Sequence, residues 1–189
     1  MEAFLVSAGS VAIAEMGDRT QLLALLLAAR FRRPWPIVAG ILCATLANHA
    51  LAGVVGVWFG RLLTPALLDT VVGASMLAMA LWTFIPDKFE EDDSLSRSPR
   101  GVFLSTLICF FLAEIGDKTQ IATVALAAAY SNLIAVVAGT TAGMMIANVP
   151  VVFLGKAFAG RLPMKAIHIG AAAIFAGLGF VFLMRALAS

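Results

Sequence analysis

Two copies of one charged hexapeptide interrupt long apolar stretches of this chain: Glu15-Met16-Gly17-Asp18-Arg19-Thr20 and Glu114-Ile115-Gly116-Asp117-Lys118-Thr119. A glutamine follows each copy, at Gln21 and Gln120. The flanks are hydrophobic from Ala3 to Ala14 and Leu22 to Ala29 around the first copy, and from Val102 to Ala113 and Ile121 to Ala129 around the second. A bilayer-spanning helix needs about 20 mostly apolar residues, so each motif is expected near the middle of a membrane helix. A carboxylate at that depth costs at least ~2.5–3.5 kcal/mol on insertion scales. Four of them, in two matched pairs, require a purpose that offsets the cost.

The rest of the composition agrees with a membrane setting. Hydrophobic residues make up 61% of the 189 and charged residues 13%, where soluble domains carry roughly 25% charged. The mean hydropathy is +0.98. A net charge of +2, divided among loops, gives no nucleic-acid surface. The opening Met-Glu-Ala-Phe lacks the basic region of a cleaved signal peptide. Cys43 and Cys109 both sit in apolar stretches and read as small packing residues rather than a disulfide or metal pair. Six segments have the length to span: 3–29, 35–59, 65–85, 101–129, 132–158 and 164–187. Their punctuation is Arg30-Phe31-Arg32-Arg33-Pro34, Gly60-Arg61 with Pro65, the polar stretch from Pro86 to Arg100, Ser131-Asn132, and Gly160-Arg161-Leu162-Pro163. The expected fold is an all-α integral membrane protein with six transmembrane helices and no soluble catalytic or receptor domain.

The two halves are internal repeats. A shift of 99 residues lays Glu15 on Glu114, Gln21 on Gln120 and Gly40 on Gly139. A shift of 100 lays Ala47-Asn48 on Ala147-Asn148 and Gly60-Arg61-Leu62 on Gly160-Arg161-Leu162. This divides the chain into a first three-helix repeat (1–85), an acidic linker (86–100) and a second three-helix repeat (101–189). An odd number of helices per repeat makes the halves enter the membrane in opposite directions, an inverted topology frequent in secondary transporters whose sites lie at the midplane. Basic residues cluster after the first, third and fifth helices: Arg30, Arg32, Arg33, Lys88, Arg97, Arg100, Arg161 and Lys165, against Arg61 and Arg185 opposite. That bias places the linker in the cytoplasm and both termini outside it.

On a continuous helix, residues three apart share a face, so Glu15 is expected to meet Asp18, and Glu114 to meet Asp117. Gly17 and Gly116 would point away and admit a neighbouring helix, or ease a local break that exposes backbone carbonyls. Thr20, Gln21, Asn48, Thr119, Gln120 and Asn148 add neutral oxygen donors. An all-oxygen set suits Mg²⁺, Ca²⁺ or Mn²⁺ rather than Zn²⁺ or Cu⁺. Bringing the first and fourth helices together would surround one midplane point with Glu15, Asp18, Glu114 and Asp117. Their surplus charge would be offset by Arg19 and Lys118, or by protons. A competing expectation makes Glu15–Arg19 and Glu114–Lys118 plain i,i+4 ion pairs that fix helix packing, but it leaves Asp18 and Asp117 without a reason. His49 has no counterpart in the second half, where Val149 stands, and reads first as a packing histidine and second as a proton relay. His168 reads as structural. The run Asp87-Lys88-Phe89-Glu90-Glu91-Asp92-Asp93 reads as a solvated linker before a cation-gathering mouth, and Trp35, Trp58 and Trp82 as interfacial anchors.

A duplicated Glu-x-Gly-Asp-Lys/Arg-Thr motif in a six-helix, two-repeat membrane chain resembles the Gdt-type family of manganese/calcium transporters, which includes the bacterial MneA-type manganese exporters. Both copies match the pattern throughout, and the resemblance covers essentially the whole chain. It implies export of Mn²⁺, or Ca²⁺, in exchange for protons, with Glu15, Asp18, Glu114 and Asp117 as the acids that bind metal and protons. It also implies an inner (plasma) membrane location, the metal being cargo rather than a cofactor. An acidic ring also suits a divalent cation channel, and paired acids also suit an intramembrane enzyme. The inverted repeat favours the antiporter over the channel. No nucleophile or histidine pair accompanies the acids as an enzyme would need. The expected partners are the metal, protons and lipid, with no nucleic acid; a homo-oligomer is compatible with the sequence.

Overall fold

The computed structural model describes residues 1–84, 101–155 and 164–188, and every described element is helical. In order these are α1 (Glu2–Glu15), α2 (Arg19–Phe31), α3 (Pro34–Leu62), α4 (Pro65–Trp82), α5 (Val102–Glu114), α6 (Lys118–Ala129), α7 (Leu133–Leu154) and α8 (Met164–Ala188). Pro34 and Pro65 open α3 and α4 in the first turn, where a missing N–H costs nothing. Asn132 caps α7 by accepting from the Ala135 N–H at 2.9 Å. The acidic run of the linker, the Gly160-Arg161-Leu162-Pro163 turn, and Lys88, Arg97, Arg100 and Arg161 lie outside the described residues.

Four helices are long and apolar enough to cross a membrane: Pro34–Leu62, Pro65–Trp82, Leu133–Leu154 and Lys165–Ala188. The expected single helices over 3–29 and 101–129 are not formed. Each is broken at its motif, into α1 and α2 and into α5 and α6. With a rise of ~1.5 Å per residue, the 14-residue α1 is too short to cross a ~30 Å hydrocarbon core by itself. The charged motif lowers hydropathy at that point, but hydropathy alone does not separate a charged turn of continuous helix from a break.

The halves interlock rather than stack side by side. The α1 helix packs on α7, while its counterpart α5 packs on α3. Contact positions along these helices fix their directions. Gly139 lies against Phe4 and Ser7, and Gly143 against Ala8 and Val11, so α1 and α7 run parallel. A side chain at Gly143 would put its Cβ 2.5 Å from the Ala8 carbonyl oxygen, which is why this crossing needs glycine. Gly40 meets Phe103 and Thr106, and Asn48 meets Phe111, so α3 and α5 run parallel as well. Gly73 on α4 touches Leu183, and Gly179 on α8 touches Leu77, an antiparallel pair.

Burial is distributed as in a protein surrounded by lipid. Large apolar side chains face outward, among them Leu51, Leu81, Ile134 and Phe180. The interior instead holds Ser10, Glu15, Asp18, Thr20, Gln21, Thr45, Asn48, Glu114, Asp117, Lys118 and Asn148. Polar groups turned inward in an apolar chain mark an ion or substrate path. Trp35 and Trp58 stand exposed near the two ends of α3, where interfacial anchors belong. Cys43 is exposed and Cys109 half-buried.

Candidate metal centre

The two motifs adopt one backbone conformation. Met16 has φ −63°, ψ 116° and Ile115 has φ −64°, ψ 120°. Gly17 and Gly116 follow in the left-handed region, at φ 83° and 76°. Asp18 (φ −77°, ψ 169°) and Asp117 (φ −78°, ψ 162°) then start α2 and α6 as their N-caps. Both glycines serve the turn through their positive φ, and at Gly116, where a Cβ would meet nothing within 4 Å, that conformation alone demands glycine.

The glutamines after the motifs have a local task beyond the donor role expected of them. Gln21 Oε1 accepts from the Gly17 N–H at 2.9 Å, and Gln120 Oε1 accepts from the Gly116 N–H at 2.8 Å. Each side chain thus satisfies an amide freed by the helix break, which in an apolar setting would otherwise cost several kcal/mol. Gln21 Nε2 also donates to the Ala147 carbonyl at 3.0 Å, tying the first break to α7.

Breaking the helices changes how the acids meet. Glu15 ends α1 and Asp18 begins α2, so they converge across a turn and not along a helical face. Carboxylate oxygens of Glu15, Asp18 and Asp117 lie within 4.8 Å of one another, all three side chains buried. Glu114 is not in that cluster. Its Oε1 accepts from Thr45 Oγ1 at 2.8 Å, a residue the sequence does not single out because threonine in an apolar helix carries no signal. Neither oxygen of Glu15 has a hydrogen-bond partner among the described residues.

The bases do not pair at i,i+4. Lys118 Nζ reaches Asp18 Oδ1 at 2.8 Å, and Arg19 reaches Asp117 Oδ1 at 3.5 Å. Each base thereby neutralises the aspartate of the other half. The two crossings are unequal, since Lys118 and Asp18 are both buried whereas the Arg19 side chain is 34% exposed.

The remaining candidates divide. Thr119 Oγ1 donates to Asp117 Oδ2 at 3.3 Å, and Thr20 Oγ1 is buried with no hydrogen-bond partner among the described residues. Asn48 Nδ2 donates to the Phe111 carbonyl at 2.9 Å. Asn148 Nδ2 bonds within its own helix to the Met144 carbonyl, leaving Oδ1 buried without a partner among the described residues. His49 is buried on α3 with both ring nitrogens unpartnered among the described residues.

Chemically, the centre offers converging carboxylates, neutral oxygens and the carbonyl ends of α1 and α5. Half-helix C-termini of this kind coordinate cations in transporters with broken helices. No sulfur or imidazole belongs to the carboxylate cluster, so it suits a hard or borderline divalent ion.

Comparison with known proteins agrees in kind. A family described as "Divalent cation/proton antiporter GDT1" matches residues 3–91 and 102–189. A Vibrio cholerae protein named "Putative manganese exporter" is 50% identical over all of this chain and 90% of its own length. The Synechocystis "GDT1-like protein sll0615" is 31% identical over 88% of this chain and 89% of its own. "GDT1-like protein 4" of Oryza sativa subsp. indica is 28% identical over 85% of this chain and 66% of its own. No solved structure matches.

Proposed function

From the premise that this chain belongs to the GDT1 family of divalent cation/proton antiporters, we propose that it exports Mn²⁺ across the plasma membrane in exchange for protons. Family membership makes it a transporter and not an enzyme. The observation that carries the proposal is the buried Glu15, Asp18 and Asp117 cluster, drawn from both halves to the point where both helices break.

The transport unit is a six-span inverted repeat, with α1–α2 and α5–α6 each forming one interrupted span. The directions of packing support this. If α1 runs inward, its parallel partner α7 does too, while α3 and α5 run outward together. The order out-to-in, in-to-out then alternates along the chain and leaves both termini outside. The site sits where the interlocked halves meet, so rocking one against the other exposes it to either side.

Charge supports exchange. Glu15, Asp18, Glu114 and Asp117 bring four negative charges, and Arg19 and Lys118 bring two positive ones, leaving two formal negative charges. One divalent cation or two protons neutralises that remainder. Metal and protons compete for the same oxygens, because a carboxylate must be deprotonated to bind metal. The all-oxygen cluster suits Mn²⁺ and Ca²⁺ and lacks the sulfur and imidazole that Zn²⁺ and Cu⁺ favour; Mg²⁺ is disfavoured by its tightly held water and strict octahedral geometry. Purified protein in liposomes, offered Mn²⁺, Ca²⁺ and Mg²⁺ side by side, should take up Mn²⁺ fastest, and Glu15→Gln should abolish that uptake. Mn²⁺ uptake by Glu15→Gln at the native rate would refute the site.

A further inference from the structure

The two glutamates of the motif occupy unlike surroundings, although their sequence positions are equivalent. Glu114 is held on α3 by two donors, the Thr45 hydroxyl, which lies 2.8 Å from its Oε1, and the Asn48 amide. The repeat shift that lays Asn48 on Asn148 lays Thr45 on Met145, and a thioether has no proton to donate. Glu15 accordingly has no hydrogen-bond donor among the described residues and lies in the carboxylate cluster, while Glu114 does not. Thr45 is itself fully buried, so its hydroxyl gains no solvent partner by releasing Glu114.

We propose that Thr45 is a positioning residue that withholds Glu114 from the metal cluster and so makes the two halves of the transporter unequal. In the conformation described, three acids face the cation and the fourth is parked on α3. A cation held by three carboxylates leaves more readily than one held by four. Thr45 therefore favours release over affinity by holding Glu114 Oε1 on α3, away from the cluster. This rests on the metal-transport reading above and goes beyond it by assigning a residue outside the duplicated motif.

The test is Thr45→Val, which keeps the shape of the side chain and removes its hydroxyl. Glu114 then keeps only the Asn48 amide on α3 and should turn to the cation more readily. Mn²⁺ binding to the purified protein should tighten by about tenfold, the equivalent of ~1.4 kcal/mol. In liposomes the KM for Mn²⁺ should fall and the maximal rate should fall with it, because release slows. Thr45→Ser retains the hydroxyl and should restore native values of both. If Thr45→Val folds poorly, Thr45→Ala gives the same binding readout per folded molecule. A lowered maximal rate with unchanged KM and unchanged binding would reduce Thr45 to a packing residue and overturn the proposal. Weaker Mn²⁺ binding in the variants would overturn it too. Should the wild-type protein carry no Mn²⁺ at all, the transport reading fails first, and the native control reports that separately.

Discussion

Removing Lys118 should damage this protein far more than removing Arg19, although the two bases hold equivalent positions in the repeats. The Lys118–Asp18 pair is 2.8 Å long, with side chains 7% and 2% exposed. Deleting one partner of a buried ion pair strands the other charge and costs ~3–5 kcal/mol. The Arg19–Asp117 contact is 3.5 Å long and its guanidinium side is 34% exposed, so water screens it and its loss is worth ~0–1 kcal/mol. At ~2–4 °C per kcal/mol for a chain of this size, Lys118→Met should lower the unfolding midpoint by ~6–20 °C, and Arg19→Met by less than about 4 °C. Thermal unfolding of the detergent-solubilised protein, followed by tryptophan fluorescence without metal, measures both. The double variant Lys118→Met/Asp18→Asn removes both charges and should recover at least half of the loss. Equal midpoints for the two single variants, or a double variant no better than Lys118→Met, would refute the crosswise pairing.

Two further outcomes follow from the geometry. Gly116→Val should destabilise the second helix break, since the left-handed conformation costs a residue with a Cβ ~1–2 kcal/mol, and more for a β-branched one; Gly116→Asn should be milder, as asparagine visits that region, and unfolding midpoints will rank them. In a Cys43→Ala/Cys109→Ala background, Ser131→Cys should be labelled by an impermeant thiol reagent from outside intact cells and Arg33→Cys only after lysis, the reverse pattern being incompatible with outward-facing termini.

Much of the centre is legible in the sequence, because burying charge in an apolar chain is so costly that its recurrence cannot be ordinary variation. The duplicated motif points to Glu15, Asp18, Glu114 and Asp117 alike; three of them converge, while Glu114 bonds Thr45 instead. The helix breaks are legible only as one of two alternatives. Whether Gly17 and Gly116 ease packing or take a positive φ depends on backbone torsion, to which hydropathy is blind. Once the breaks exist, they redirect several side chains. Gln21 and Gln120 cap freed amides, and the bases reach across the halves instead of along their own helix. Thr45 is hidden for another reason: a lone threonine in a membrane helix ordinarily bonds to its own backbone. Only the parallel packing of α5 on α3 brings Glu114 to it.

The central claim is that one set of carboxylates carries metal one way and protons the other. It is tested most directly by proton movement driven by Mn²⁺ in liposomes, read with an enclosed pH dye while K⁺ and valinomycin clamp the voltage. Mn²⁺ entering the vesicles should drive protons out, with about two leaving per metal ion as the formal charge of the site requires. Lowering the external pH should weaken Mn²⁺ uptake, because protons then occupy the oxygens the metal needs, and Glu15→Gln should abolish both fluxes together. Mn²⁺ entry with no proton counter-flux would contradict the account and leave a channel or uniporter in its place.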